Sequence, residues 1–169
     1  MELRDHARHA LVFVRRMTEG LLASCKTRAD WLHQVHPKAN HALWIAGHLG
    51  LVDNSTLSRF RPQAAHKPAG WDPIFWRGSQ VSPESGAYPP ESEVLAYLRE
   101  RRERLLSVLD ELNEDELRAP APAAGERSPL AGAPSMGHAF LFIASHESLH
   151  AGQLTVAHRA LGHSPLLGS

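Results

Sequence analysis

The chain has 169 residues, with 18 lysines and arginines against 18 aspartates and glutamates, one cysteine and 12 histidines. This length suits a single domain, residues 1–169, with a proper core, and the balanced charge gives no general attraction to nucleic acid or to a membrane surface. One cysteine excludes an internal disulfide and a Cys-rich zinc site, and no run approaches the roughly 18 apolar residues of a membrane span.

The N-terminus carries Glu2, Arg4, Asp5 and Arg8, and its apolar run, residues 11–14, is short. It does not read as a signal peptide, so a cytoplasmic protein is the expectation. Residues 3–25 keep apolar side chains at steps of three and four (Leu3, Ala7, Leu11, Val14, Leu21, Leu22, Cys25), which predicts an amphipathic helix. Cys25 reads as a small core residue of that helix.

Pro37 marks a boundary, and a second helix is predicted over about 38–60. One face of it carries His41, Ile45, His48 and Val52. His48 therefore sits in an apolar inward stripe, either as a hydrogen-bonded core residue or as a ligand. Residues 61–90 hold six prolines together with Gly70, Gly78 and Gly86, and predict a long crossover loop. Trp71, Phe75 and Trp76 within it argue against disorder. They either anchor the crossover or wall a pocket.

Residues 91–112 predict a third helix, with Glu91 and Glu93 at its positive end. Leu98, Leu105, Leu109 and Leu112 form its core stripe, and Arg99, Arg101, Arg102 and Arg104 read as its solvated face. A Pro-, Ala- and Gly-rich connection over 113–134 follows. A last helix is predicted over about 135–161, stopped by Gly162 and Pro165. No stretch has a strand's period of two. The expected fold is all-α, a four-helix bundle with a long crossover loop.

The last helix contains His146 and His150 four residues apart, stacked on one face and able to grip a divalent metal together. With Glu147 the string reads H-E-x-x-H, the signature of helical zinc proteases. The context is wrong for that chemistry. Gln153 and Val156 stand where the extended signature needs Gly and His, no acidic residue follows Glu147, and no sheet precedes it to align a peptide. A third ligand from upstream is needed, and His48 is the best candidate. Three imidazoles leave an open position, as catalytic sites do.

The stretches N-H-A-L-W-I-A-G-H-L (residues 40–49) and H-E-S-L-H-A-G-Q-L (146–154), with R-A-L-G (159–162), resemble the DinB-like superfamily. Y-P-P-E-S-E-V (88–94) and L-N-E-D-E-L (112–117) are similar to the borders of its third helix. The resemblance implies a four-helix bundle with a divalent metal on His48, His146 and His150. Zn or Ni is the expected ion, though three imidazoles also accept Cu or Fe. It further implies a metal-dependent thiol S-transferase that pairs a low-molecular-weight thiol with a small electrophile. A metal-dependent hydrolase and a non-catalytic, stress-linked binding protein are the alternatives. A small-molecule substrate is expected, and a homodimer is open as the assembly. Glu147 and Gln153 are the candidate catalytic residues. Glu147 could be a base, a support for a ligand imidazole, or purely structural; Gln153 could orient a ligand or substrate, or be a surface amide. Trp44 either lines the pocket or packs in the core, and Asp53 and Asn54 are weaker candidates for supporting contacts. His138, His158, His163 and the N-terminal histidines read as surface residues.

Overall fold

A computed structural model describes residues 2–121, 130 and 132–166. Part of the predicted 113–134 connection lies outside the described residues. The protein is all-helical, with no strand among the described residues. Its long helices are α1 (Leu3–Leu22), α3 (Ala42–Phe60), α5 (Glu91–Glu111) and α7 (Met136–Ala160), and three short helices join them: α2 (Arg28–Trp31), α4 (Asp72–Phe75) and α6 (Glu114–Arg118).

The four long helices are the predicted ones, with shifted ends. α1 stops at Leu22, so Cys25 lies beyond it, half-buried against the core. Burial pushes its thiol up to about 11, which keeps it protonated and unreactive at neutral pH. α3 begins at Ala42 rather than near Lys38. The reason is His41, whose Nδ1 accepts the Trp44 N–H at 3.1 Å and caps the helix, while Pro37 belongs to a preceding turn. Thr27 and Asp30 build a reciprocal cap that starts α2, a short helix hidden by its lack of periodicity. Gly162, with φ 87°, follows the end of α7 as the sequence predicts.

Cross-helix contacts define how the four pack. Arg15 meets Glu147 and Ser24 meets His158, so α1 and α7 run parallel. Gly50 packs against Tyr97 and Leu98, and one turn later Asn54 meets Arg101, so α3 and α5 also run parallel. Arg15 reaches the Leu98 carbonyl and Arg102 the Leu11 carbonyl, which makes α1 and α5 antiparallel. Parallel neighbours cannot be joined by a short turn. The 61–90 crossover is thus a consequence of α3 and α5 lying side by side in one direction.

The crossover is tied down along its length. Arg101 donates to the Ala64 carbonyl at 2.9 Å, the His66 N–H to Asn54 at 2.7 Å, Tyr97 to the His66 carbonyl at 2.9 Å and Trp44 Nε1 to Ser79 at 2.8 Å. Its own Trp71 and Phe75 are buried in the core. With α5, α7 and this crossover around it, α3 is buried at every residue from Ala42 to Asn54.

The core has two apolar halves. One gathers Leu22, Leu43, Leu49, Phe75 and Leu98; the other gathers Leu11, Leu57, Leu105, Leu109 and Phe140. Between them lie Arg15, Asp53, Arg102 and Glu147, one from each long helix, all buried. Arg101 and Arg102 are thereby buried rather than solvated as predicted, at 4% and 3% exposure, while Arg99 and Arg104 do face solvent. His158 is also buried, not on the surface: it bonds Ser24 at 2.9 Å and the Ser164 carbonyl at 2.7 Å.

A three-histidine candidate metal centre

His48 projects from α3, and His146 and His150 from adjacent turns of α7. One ring nitrogen of each lies within 4.8 Å of the other two, a spacing that can hold a metal ion. The ring centroids are 4.7 to 5.4 Å apart. His48 and His150 are 5% and 8% exposed, and His146 is half-buried.

Neighbours choose the tautomer of two rings. His48 Nδ1 is 2.9 Å from the Phe75 carbonyl, and a carbonyl can only accept. His150 Nδ1 is 3.1 Å from Gln153 Oε1, which also accepts from Asn40 Nδ2 at 3.1 Å. Both rings therefore carry their proton on Nδ1 and present a free Nε2 lone pair, the outer-sphere arrangement usual for ligand histidines. His146 Nδ1 is buried with no hydrogen-bond partner. A buried unbonded nitrogen costs about 1–3 kcal/mol, and a cation held by the cluster is a way to meet that cost.

All three imidazoles are neutral at pH 7. Burial first, then the neighbouring His150, pulls His48 down to about 3. Burial and His150 bring His146 down to about 4, and burial lowers His150. Neutral nitrogen donors with no carboxylate among them suit a borderline ion such as Zn²⁺ or Ni²⁺ better than Mg²⁺ or Ca²⁺.

Trp44 stacks on His48 at 4.7 Å with an interplanar angle of 10°, and Trp76 lies 6.1 Å from the same ring. The crossover therefore contributes both a carbonyl and an aromatic wall. Phe75 reaches His48 because residue 47 is glycine: a Cβ there would stand 2.4 Å from the Phe75 ring. A cleft of about 300 Å³ bounded by Phe142, Ser145, His146 and Leu149 opens on the α7 side. A second, of about 600 Å³, runs past Trp76, Arg77, Ser79 and Gln80.

Glu147, expected from the H-E-x-x-H string as one candidate base, faces away from the cluster in its bonding. Its Oε1 accepts from Arg15 Nε at 2.8 Å, and its Oε2 from Arg102 Nη2 at 2.6 Å. Burial raises its pKa, but the two guanidinium groups more than offset this and hold the carboxyl at about 2. Arg102 also grips Asp53 at 2.9 and 3.0 Å. Asp53 thus joins the ion-pair layer, whereas Asn54 serves the crossover through His66. Of the roles open to Glu147, the geometry favours the structural one. Gln153 is exposed, and its Oε1 is bonded to His150 Nδ1.

The sequence reading missed the Phe75 carbonyl, the Gly47 contact and the arginine layer. No side-chain type announces a carbonyl. The arginines did leave a signal: Arg15 falls four after Leu11 and Arg102 four after Leu98, on the inward stripes themselves.

The fold and the cluster together define an all-helical protein with a three-histidine site suited to a divalent metal. The family model of the DinB superfamily matches residues 10–154, and the chain belongs to that superfamily. No curated protein matches the sequence.

Proposed function

We propose that this chain is a metal-dependent enzyme of the DinB type, a thiol S-transferase that joins a low-molecular-weight thiol to a small electrophile. The observation that carries the reading is the three-histidine cluster, neutral and outer-sphere supported, with His146 lining a cleft of about 300 Å³. His48, His146 and His150 hold the ion, with Zn or Ni as the expected identity. The ion supplies a Lewis-acidic open position at which a thiol or water is deprotonated more easily near pH 7.

The remaining work falls to the chain. The Phe75 carbonyl and Gln153 fix the imidazoles, and Trp44 and Trp76 wall the site against bulk water. Gln153, bonded to the outer nitrogen of His150, is assigned to orienting that ligand ring. Glu147 acts as the buried counter-charge that seats α7 rather than as a base. Glu147 is engaged by Arg15 and Arg102, which speaks against hydrolysis assisted by that carboxylate.

The same reading takes a small-molecule substrate, a cytoplasmic setting and no nucleic-acid partner. No helix among the described residues is long and apolar enough to cross a membrane. A homodimer is part of the proposal. Phe142, Leu149 and Val156 form an exposed apolar stripe along α7, 36%, 71% and 56% exposed, and sedimentation of Leu149→Glu beside wild type tests it.

Metal-loaded protein should conjugate a thiol from a panel of low-molecular-weight thiols to a fluorogenic electrophile, and lose that activity in His150→Ala. Hydrolysis of small esters without thiol conjugation would establish the hydrolase alternative. Full metal occupancy with neither activity would leave a binding protein.

A further inference from the structure

The charge balance around the cluster points to what its ligand must carry. Two buried carboxylates lie on the helices that carry the cluster, Asp53 on α3 and Glu147 on α7. Both are committed: each accepts from Arg15 and from Arg102 within 3.2 Å. Two carboxylates against two guanidinium groups sum to zero. A divalent ion on three neutral imidazoles therefore keeps its charge, with neither of these carboxylates free to balance it.

The crossover adds to this excess. Arg77 follows Trp76, whose ring stands 6.1 Å from His48. It lines the cleft of about 600 Å³ together with Trp76, Ser79 and Gln80. The carboxylate that shares the cleft, Asp72, is paired with Lys67. Arg77 itself has no hydrogen-bond or ion-pair partner among the described residues. A guanidinium left unpaired at the rim of an electropositive centre is a fork suited to a carboxylate.

We propose that Arg77 is an anion-binding residue of this site, and that the ligand is a small thiol bearing a carboxylate. Its sulfur end occupies the open position of the three-histidine centre, and its carboxylate is held by the Arg77 guanidinium beside Trp76. The inference rests on the thiol reading above and narrows it: neutral thiols of the same length bind more weakly.

The test uses the full chain loaded with Co²⁺, whose visible absorption bands report ligands entering the open position. 3-Mercaptopropionate and its neutral amide are titrated into wild type, Arg77→Ala and Arg77→Lys. The acid-to-amide affinity ratio is compared between variants, which cancels the intrinsic difference in thiol acidity. Wild type should show a ratio about three- to tenfold higher than Arg77→Ala, as expected for a partly exposed charge pair, with the Lys variant between. An equal ratio in wild type and Arg77→Ala overturns the proposal. A second pair, acetohydroxamate and the monohydroxamate of succinic acid, separates the two readings. If thiols leave the bands unchanged but the carboxylate-bearing hydroxamate is preferred only when Arg77 is present, the thiol reading fails and the anion site stands. If neither pair shifts the bands, both fail.

Discussion

His48 is made a ligand by residues that are not ligands. Its ring is sandwiched by Trp44, bonded on Nδ1 to the Phe75 carbonyl, and held neutral by burial. Gly47 is the least conspicuous of these supports. A methyl at 2.4 Å from a fully buried ring must displace Phe75, and with it the carbonyl that orients His48. Gly47→Ala should destabilise the protein by about 1–3 kcal/mol, the usual cost of overpacking, and weaken metal binding roughly tenfold or more through lost outer-sphere support. Unfolding curves and a competitive chelator titration check the two effects. Unchanged metal affinity in a destabilised variant would mean that the Phe75 carbonyl does not orient the ligand.

The elements were legible where one face alternates cleanly, and less so where burial is complete. α1 and, less sharply, α5 could be placed from their stripes because charge and apolarity separate by period, whereas α7 leaves Phe142, Leu149 and Val156 on its exposed side and shows little contrast. α3 gives a weaker contrast because it is covered on all sides, yet its length and Pro37 still located it approximately. Short α2, α4 and α6 offer no period at all; their caps and turns exist only through local hydrogen bonds. Reading Arg101 and Arg102 by residue type put them in solvent, whereas their position on the Leu98–Leu105 stripe put them inside. Each long helix contributes one charge to a buried layer, where Arg15, Asp53, Arg102 and Glu147 meet. Such a layer specifies how the helices register more than it stabilises them, since desolvation consumes much of the attraction. Removing one member is another matter. Glu147→Ala leaves guanidinium charge buried and unpaired, and should cost about 3–5 kcal/mol of stability, measured by denaturant unfolding of metal-free protein. A loss of activity with stability unchanged would return Glu147 to the role of base.

At the scale of the whole molecule, the buried imidazoles tie stability to pH. His41 and His146 are held near 4 and His48 near 3, against 6.5 in the unfolded chain, with burial the leading cause in each. The folded metal-free protein thus binds fewer protons than the unfolded chain between those values. Its stability is fully present above about pH 6.5 and is lost as pH falls toward 4; Glu147, held at about 2 against 4.5, extends the loss further down. Denaturant midpoints of the metal-free protein between pH 8 and pH 4 should fall steadily on the acid side. A flat profile through pH 6 would show that these rings are not buried neutral.

The central claim is that His48, His146 and His150 form one metal site. Metal content of the purified protein, measured by mass spectrometry after exhaustive dialysis against trace Zn²⁺, tests it most directly when wild type is set beside His48→Ala. The account predicts one divalent ion per chain in wild type and little or none in the variant. Equal occupancy in the two would contradict it, because the third ligand would then lie elsewhere.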